Sequence, residues 1–341
     1  MTSTQITQPE DTEQPSNAST VVPDISSESN PEASSETSST FAACKELIKP
    51  GITKLVTITA LVGVLLAGLH YDLTGWGLWI KLIIGTIIGT TLASGGANAL
   101  NMWYESDRDA LMNRTKVRPI PSNRLSSKFV LNFGLLLTIV GTVVLWLTCG
   151  IIPAFVALVT AASYVLIYTP LKPITITNTL IGAVPGALPT MIGTTAVAPG
   201  SGFELLIEPI GLMLFSLMFI WQLPHFFAIA WMCKDDYKAG GFRMLPIVDP
   251  AGNHTATTMI LTSGMLIPCG LAPLWIIPDL AGWFTGAAAI LFGSILVLLS
   301  VKFAYKRTDQ AARTVFFGSI IHLPIYLVVL VAEASIRALI K

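Results

Sequence analysis

Runs of about 20 apolar residues dominate this chain, and each is long enough as a helix to cross ~30 Å of hydrocarbon. Nine can be drawn, at roughly 50–70, 78–100, 129–149, 151–170, 174–197, 209–232, 255–277, 282–302 and 314–335. They are continuous rather than alternating, which favours helices over a transmembrane barrel. The expected fold is therefore all-α, a polytopic membrane bundle of nine transmembrane helices. Composition agrees: 52% of residues are hydrophobic and only 12% are charged, against about 25% charged in soluble domains. The fifth run carries Pro185 and Pro189 with Gly182, Gly186 and Gly193, so it is expected to be kinked or packed closely on its neighbours.

The formal net charge of zero hides an asymmetry. Residues 1–42 hold seven acidic residues and no Lys or Arg, whereas the remainder holds 20 basic and 13 acidic residues. The 1–42 segment is rich in Ser, Thr, Pro, Glu and Gln and cannot bury enough apolar surface to offset its ordering entropy. It reads as a disordered tail ahead of a nine-helix domain at 43–341. It has neither the basic and apolar blocks of a secretory signal nor the Arg-rich, acid-poor character of a mitochondrial transit peptide.

Orientation follows from Lys and Arg placement. In a nine-span model 17 basic residues fall on one side, in the loops at 101–128, 172, 234–243 and 302–313 and ahead of the first span; only Lys81, Arg337 and Lys341 fall on the other. The tail and the basic loops are expected to be cytoplasmic and the C-terminus external, in a bacterial inner membrane. Cys44, Cys149, Cys233 and Cys269 lie far apart with no C-x-x-C pair, which argues against a disulfide framework or a zinc site. Nothing in the chain points to nucleic acid; membrane lipid is its surroundings.

Two loops on the basic side carry clustered acids. Asn101, Glu105 and Asp109 are spaced i, i+4, i+8 and share one face of a helix. An amide and two carboxylates there suit Mg²⁺, which keeps several waters and commonly bridges to phosphate. Asp107 lies off that face. Arg114 and Arg118, also four apart, can reach one polyanion. The second loop runs from Lys234-Asp235-Asp236-Tyr237-Lys238 to Met244-Leu245-Pro246. Asp109 precedes Pro119 by ten residues as Asp236 precedes Pro246, and the offset of four spans puts both loops on one membrane face. Carboxylates alone repel a polyanion. A magnesium-bridged diphosphate resolves that conflict, with Arg and Lys stabilising the leaving group as its charge develops. A bland reading, a solvated basic loop that only sets topology, does not explain two such loops.

These residues carry a family resemblance. The pattern N-x₃-[D/E]-x₃-D after the second span, with a second acidic loop after the sixth, resembles the UbiA superfamily of intramembrane prenyltransferases. Over roughly residues 45–335 the chain is similar to the branch that farnesylates protohaem to haem O. The matching positions are Asn101, Asp107, Asp109, Met112, Arg114, Thr115, Arg118 and Pro119; then Tyr168-Thr169, Leu171-Lys172, Thr175, Asn178, Gly182, Gly186-Ala187, Pro189 and Ile192-Gly193; then Pro224-His225-Phe226, Asp236-Tyr237, Gly241 and Met244-Leu245-Pro246. Glu105, Pro173 and Thr190 stand where the family usually has Asp, Arg and Pro.

The resemblance implies a Mg²⁺-dependent transfer from farnesyl diphosphate to a vinyl group of protohaem, with addition of water. Glu105, Asp107, Asp109, Asp235 and Asp236 would hold the metal. Arg114, Arg118, Lys172 and Lys238 would act on the diphosphate, and Asn101, Asn178, His225 and Tyr237 would bind substrate. Hand-over of the product to haem A synthase or to terminal oxidase assembly is the expected next step. The competing readings are a family member with another aromatic acceptor and a secondary transporter. A transporter predicts paired charges and broken helices at the midplane, whereas the acids here cluster at span ends. His225, one helical turn after Gln222, is an intramembrane ionisable group and hence a functional candidate, set against an interhelical hydrogen bond.

Overall fold

The computed structural model describes residues 40–340. The tail expected at 1–42 lies outside the described residues except for 40–42, which open a short helix over 40–47. Eight helices in the described residues are long and apolar enough to cross a membrane. They are α1 (Pro50–His70), α2 (Trp76–Tyr104), α3 (Ser127–Cys149), α4 (Ile151–Leu171), α7 (Pro209–Met232), α8 (Asn253–Ile276), α9 (Trp283–Lys306) and α10 (Asp309–Ile340).

The remaining run, 174–197, is two short helices, α5 (Asn178–Ala187) and α6 (Pro189–Thr195). The break at Leu188 has a plain cause. Pro185 and Pro189 remove two amide donors from the ladder, and the ring of each crowds the carbonyl four residues earlier. The segment still crosses the bundle, but among its neighbours: every residue of α6 is buried.

The surface is apolar where lipid would lie. Leu136, Leu147, Leu166 and Val328 are exposed on the outer faces of α3, α4 and α10. With apolar side chains on both sides, association rests on close packing and interhelical hydrogen bonds. α2 and α3 approach through Gly89 and Gly141, where a methyl group on either would press into the partner's backbone. α1 meets α6 in the same way: a Cβ at Gly63 would collide with the Thr190 carbonyl, and one at Gly193 with the Ala60 carbonyl. Larger side chains fill the space among α7, α8, α9 and α10. Trp231 meets Phe303 edge-on at 5.0 Å, and the Tyr326 hydroxyl donates to the Gly270 carbonyl at 2.7 Å.

Two helix N-termini, those of α3 and α7, are capped by side chains. Ser126 Oγ accepts the Phe129 amide at 3.2 Å. Buried Glu208 caps α7 by accepting the Ile210 and Gly211 amides at 2.9 and 2.6 Å, and it also accepts the Tyr71 hydroxyl at 2.9 Å. That cap lies at the opposite end of the bundle from the two acidic loops.

Candidate active site

α2 ends at Tyr104, but its hydrogen bonding runs on. The Glu105 amide donates to the Asn101 carbonyl at 3.0 Å and the Asp109 amide to the Glu105 carbonyl at 2.8 Å. Asn101, Glu105 and Asp109 therefore stay stacked, and all three are buried, Asp109 completely. Asp107 and Arg108 point the other way and are exposed. The structure thus leaves Asp107 off the face that holds the other two carboxylates, as helical geometry requires.

Each side chain of that face is paired with a group from elsewhere in the chain. Arg118 Nη1 donates to both Asp109 oxygens, at 2.8 and 2.7 Å. Lys172 Nζ pairs with Glu105 Oε1 at 2.6 Å. Lys49 Nζ donates to Asn101 Oδ1 at 3.0 Å, and Asn101 Nδ2 donates to Thr169 Oγ1 at 3.0 Å. Lys172 arrives there from a π-helical turn at Ser163–Tyr168, a distortion often found at functional sites. Its ammonium lies 4.7 Å from the Tyr168 ring centroid, near enough for a cation–π contact.

Burial raises the Asp109 carboxyl above its ordinary range, and Arg118 only partly opposes this. Burial works against the Lys172 ammonium more than any other single influence, but Glu105 together with Tyr168 and Tyr164 outweighs it and holds that group above the usual lysine range. Lys49 is pulled down to about 7, first by burial and then by repulsion from Arg118 and Lys172.

The second loop packs directly on the first. Asp236 Oδ1 accepts the Asn113 amide at 3.1 Å, and Arg108 Nη1 donates to the Gly240 carbonyl at 2.9 Å. Met112 is buried with Ala230, Phe242 and Met244. Arg114 stacks over Tyr237 at 5.7 Å. Asp235 and Lys238 are exposed and Asp236 is half-buried. Asn178 ties the loops to the helices: its Nδ2 lies within hydrogen-bond reach of the Lys172, Thr175 and Arg243 carbonyls, at 3.4, 2.6 and 2.8 Å. Its amide is spent on backbone, so it positions Lys172 and the second loop rather than facing a ligand.

Among the described residues no three acidic, His or Cys side chains gather at one point. Glu105 and Asp109 still fit Mg²⁺, which is commonly held by one or two carboxylates with waters and substrate phosphate completing the shell. The Asn101 amide oxygen and the phosphates of a ligand would supply the rest.

Behind this mouth lies a cavity of about 660 Å³. It starts beside Gly51, Asn98 and Tyr168 and runs between α1, α2, α4, α5, α7 and α10, with walls mostly apolar. His225 stands in its wall between Trp221 and Phe316, whose rings stack on it at 5.2 and 4.9 Å. Gln222 does not share its role, because Nε2 donates back to the Met218 carbonyl and across to that of Ala183.

Sequence reasoning missed Lys49, Arg108, Tyr168 as a cation platform, and Ser319, which hydrogen-bonds His225. Only Lys49 left a signal, as the cation immediately before Pro50 at the end of a span on the acidic-loop side.

Comparison with known proteins places these features. Residues 56–321 match the model of the UbiA prenyltransferase family. A protoheme IX farnesyltransferase from Solibacter usitatus is 39% identical over 285 residues, covering 82% of this chain and 94% of that one. A solved digeranylgeranylglyceryl phosphate synthase superposes with a TM-score of 0.68 at 16% identity, over 86% of this chain and 98% of its own. A UbiA homolog from Archaeoglobus fulgidus, bound to GPP and Mg²⁺, gives a TM-score of 0.51 at 11% identity over 86% and 99%.

Proposed function

The chain belongs to the UbiA prenyltransferase family, and on that premise we propose that it transfers the farnesyl group of farnesyl diphosphate to a vinyl group of protohaem, with addition of water, giving haem O. The observation that carries this reading is the mouth of the cavity. Two buried carboxylates and three cations, Lys49, Arg118 and Lys172, meet there above a mostly apolar slot. Prenyl transfer to haem is supported by the relatives named for it; the choice of farnesyl, the vinyl carbon and the water are the finer part of the proposal.

Mg²⁺ bound at Glu105 and Asp109 would neutralise the diphosphate as it leaves with the electron pair of the carbon–oxygen bond; the UbiA homolog bound to GPP and Mg²⁺ supports that assignment. The chain's own residues do the rest. Arg118 and Lys172 already flank the carboxylates and would turn onto the phosphate oxygens, with Arg114 and Lys238 joining from the rim. The apolar walls hold the isoprenoid and exclude water while the allylic cation exists. The terminal vinyl carbon attacks that cation, and water adds to the carbon next to the macrocycle and loses a proton.

Purified protein given Mg²⁺, farnesyl diphosphate and reduced protohaem in detergent should yield a haem heavier by one farnesyl and one hydroxyl group. Prenylation of another aromatic acceptor, with haem unchanged, would keep the family and reject the haem assignment. The 17-to-3 charge distribution further supports acidic loops on the cytoplasmic face of a bacterial inner membrane. Cysteines at Ser106 and Ala239 should resist impermeant thiol reagents in intact cells; labelling of either from outside reverses the orientation.

A further inference from the structure

His225 sits on α7 about two turns from its loop end, inside the cavity wall. The hydrogen bonding around it assigns the proton to one ring nitrogen. Ser319 has one hydroxyl hydrogen, which goes to the Phe316 carbonyl at 2.6 Å. Towards His225 Nδ1, 2.8 Å away, the Ser319 oxygen can then only accept. Nδ1 is therefore protonated, and the neutral ring keeps an in-plane lone pair on Nε2.

The ring is held as well as tautomerised. Trp221 and Phe316 stack on its two sides, and the Trp221 indole N–H donates to the Ser319 carbonyl at 2.8 Å. Among the described residues no donor engages Nε2. A structural hydrogen bond between α7 and α10 needs only Nδ1. A bare lone pair in an apolar, aromatic-lined slot suits a borderline transition metal, and an N–H donated from the far ring nitrogen is what orients histidines that bind one. A carboxylate such as a propionate is disfavoured, because two lone pairs would face each other.

We propose that His225 Nε2 is the axial ligand of the iron in the protohaem substrate and that Ser319 is its positioning residue. This rests on the haem reading above and adds how the macrocycle is gripped: by its iron, with one face turned to the α7 histidine, rather than by its propionates alone. Iron ligation fixes the distance of the porphyrin centre from the wall, so that one rim is held towards the diphosphate mouth.

The test uses the full chain in lipid nanodiscs with ferrous protohaem and no prenyl donor, read by resonance Raman in the iron–histidine stretching region. Wild type should show the stretch. His225→Ala should lose it, and His225→Gly should regain an iron–imidazole band when imidazole is added. Ser319→Ala should keep the ligand, shift the band, and weaken haem binding about 10- to 100-fold, while its binding of farnesyl diphosphate stays within about twofold. That variant decides the matter even if the histidine changes fail to fold. A band unchanged in His225→Ala, or unmoved in Ser319→Ala, overturns the proposal. Farnesylated haem formed by a wild type that lacks the band rejects the ligand and leaves the function standing. No haem uptake, with prenylation of another acceptor, rejects both.

Discussion

The two acidic loops have similar sequences and different physics. In the first, Asp109 and Glu105 are buried and each is held by a cation brought from another part of the chain, Arg118 and Lys172. In the second, Asp235 is exposed and Asp236 is half-buried, with only a backbone amide upon it. The first loop is charge-balanced before any ligand arrives, so on the proposed function a metal entering there would displace cations that would then be free to meet phosphate. The second loop has displaced nothing and can receive an ion directly. Buried carboxylates need fixed partners because leaving a charge uncompensated in a dry site is costly; exposed ones are served by water.

The largest expected effect breaks the comparison at its stronger side. Asp109→Asn leaves Arg118 facing a neutral amide in a mostly buried setting, a change that costs about 3–5 kcal/mol of stability, and turnover should fall about 10³-fold. Thermal melting and product formation on the same preparation measure both. Asp236→Asn should separate the two quantities. An amide oxygen still accepts the Asn113 amide, so stability should stay within about 1 kcal/mol while the rate falls about 10²-fold. Equal destabilisation by the two substitutions would mean that the loops are not different in kind.

How much of this was legible beforehand depends on distance along the chain. The face shared by Asn101, Glu105 and Asp109 follows from helical spacing, and the helical bonding through Glu105 preserves it. The weakness of the 174–197 run was visible in Pro185 and Pro189. The cation partners were not legible, because Lys172 lies 67 residues from Glu105 and Lys49 lies 52 from Asn101, and no local pattern encodes such pairings. Asn178 shows the same limit from the other side. Its block marked it as a ligand residue, yet its Nδ2 is turned to the backbone of two connections and its Oδ1 accepts the Thr179 hydroxyl.

A smaller effect sharpens the picture of the charge-balanced side. Lys49 has its folded value lowered to about 7 from 10.5. Between those values the unfolded chain binds the proton and the folded one does not, so stability rises with pH across that window and is lowest below it. In metal-free protein the melting temperature should therefore climb as pH increases from about 7 towards 10, and Lys49→Met should flatten the slope. The smallest effect is at the rim, where Arg124 pairs with Glu46 at 2.7 Å with both side chains about a third exposed. Arg124→Ala should change stability by no more than about 0.5 kcal/mol and leave turnover unchanged; a larger loss would extend the charge-balanced region beyond the buried face.

The glycine crossing of α1 and α6 has a consequence for substrate choice. Because main chain rests on main chain at Gly63 and Gly193, the crossing itself has no side chain that could give way. Ile192, next to Gly193, projects into the slot from a rigid mount. For the isoprenoid donor proposed above, the slot would act as a ruler whose graduations are side chains and whose stock is backbone. Shortening Ile192 or Met218, both in the cavity wall, would move a graduation and admit a longer donor. Adding a methyl group at Gly193 would bend the stock, and lengths on either side would be misread together.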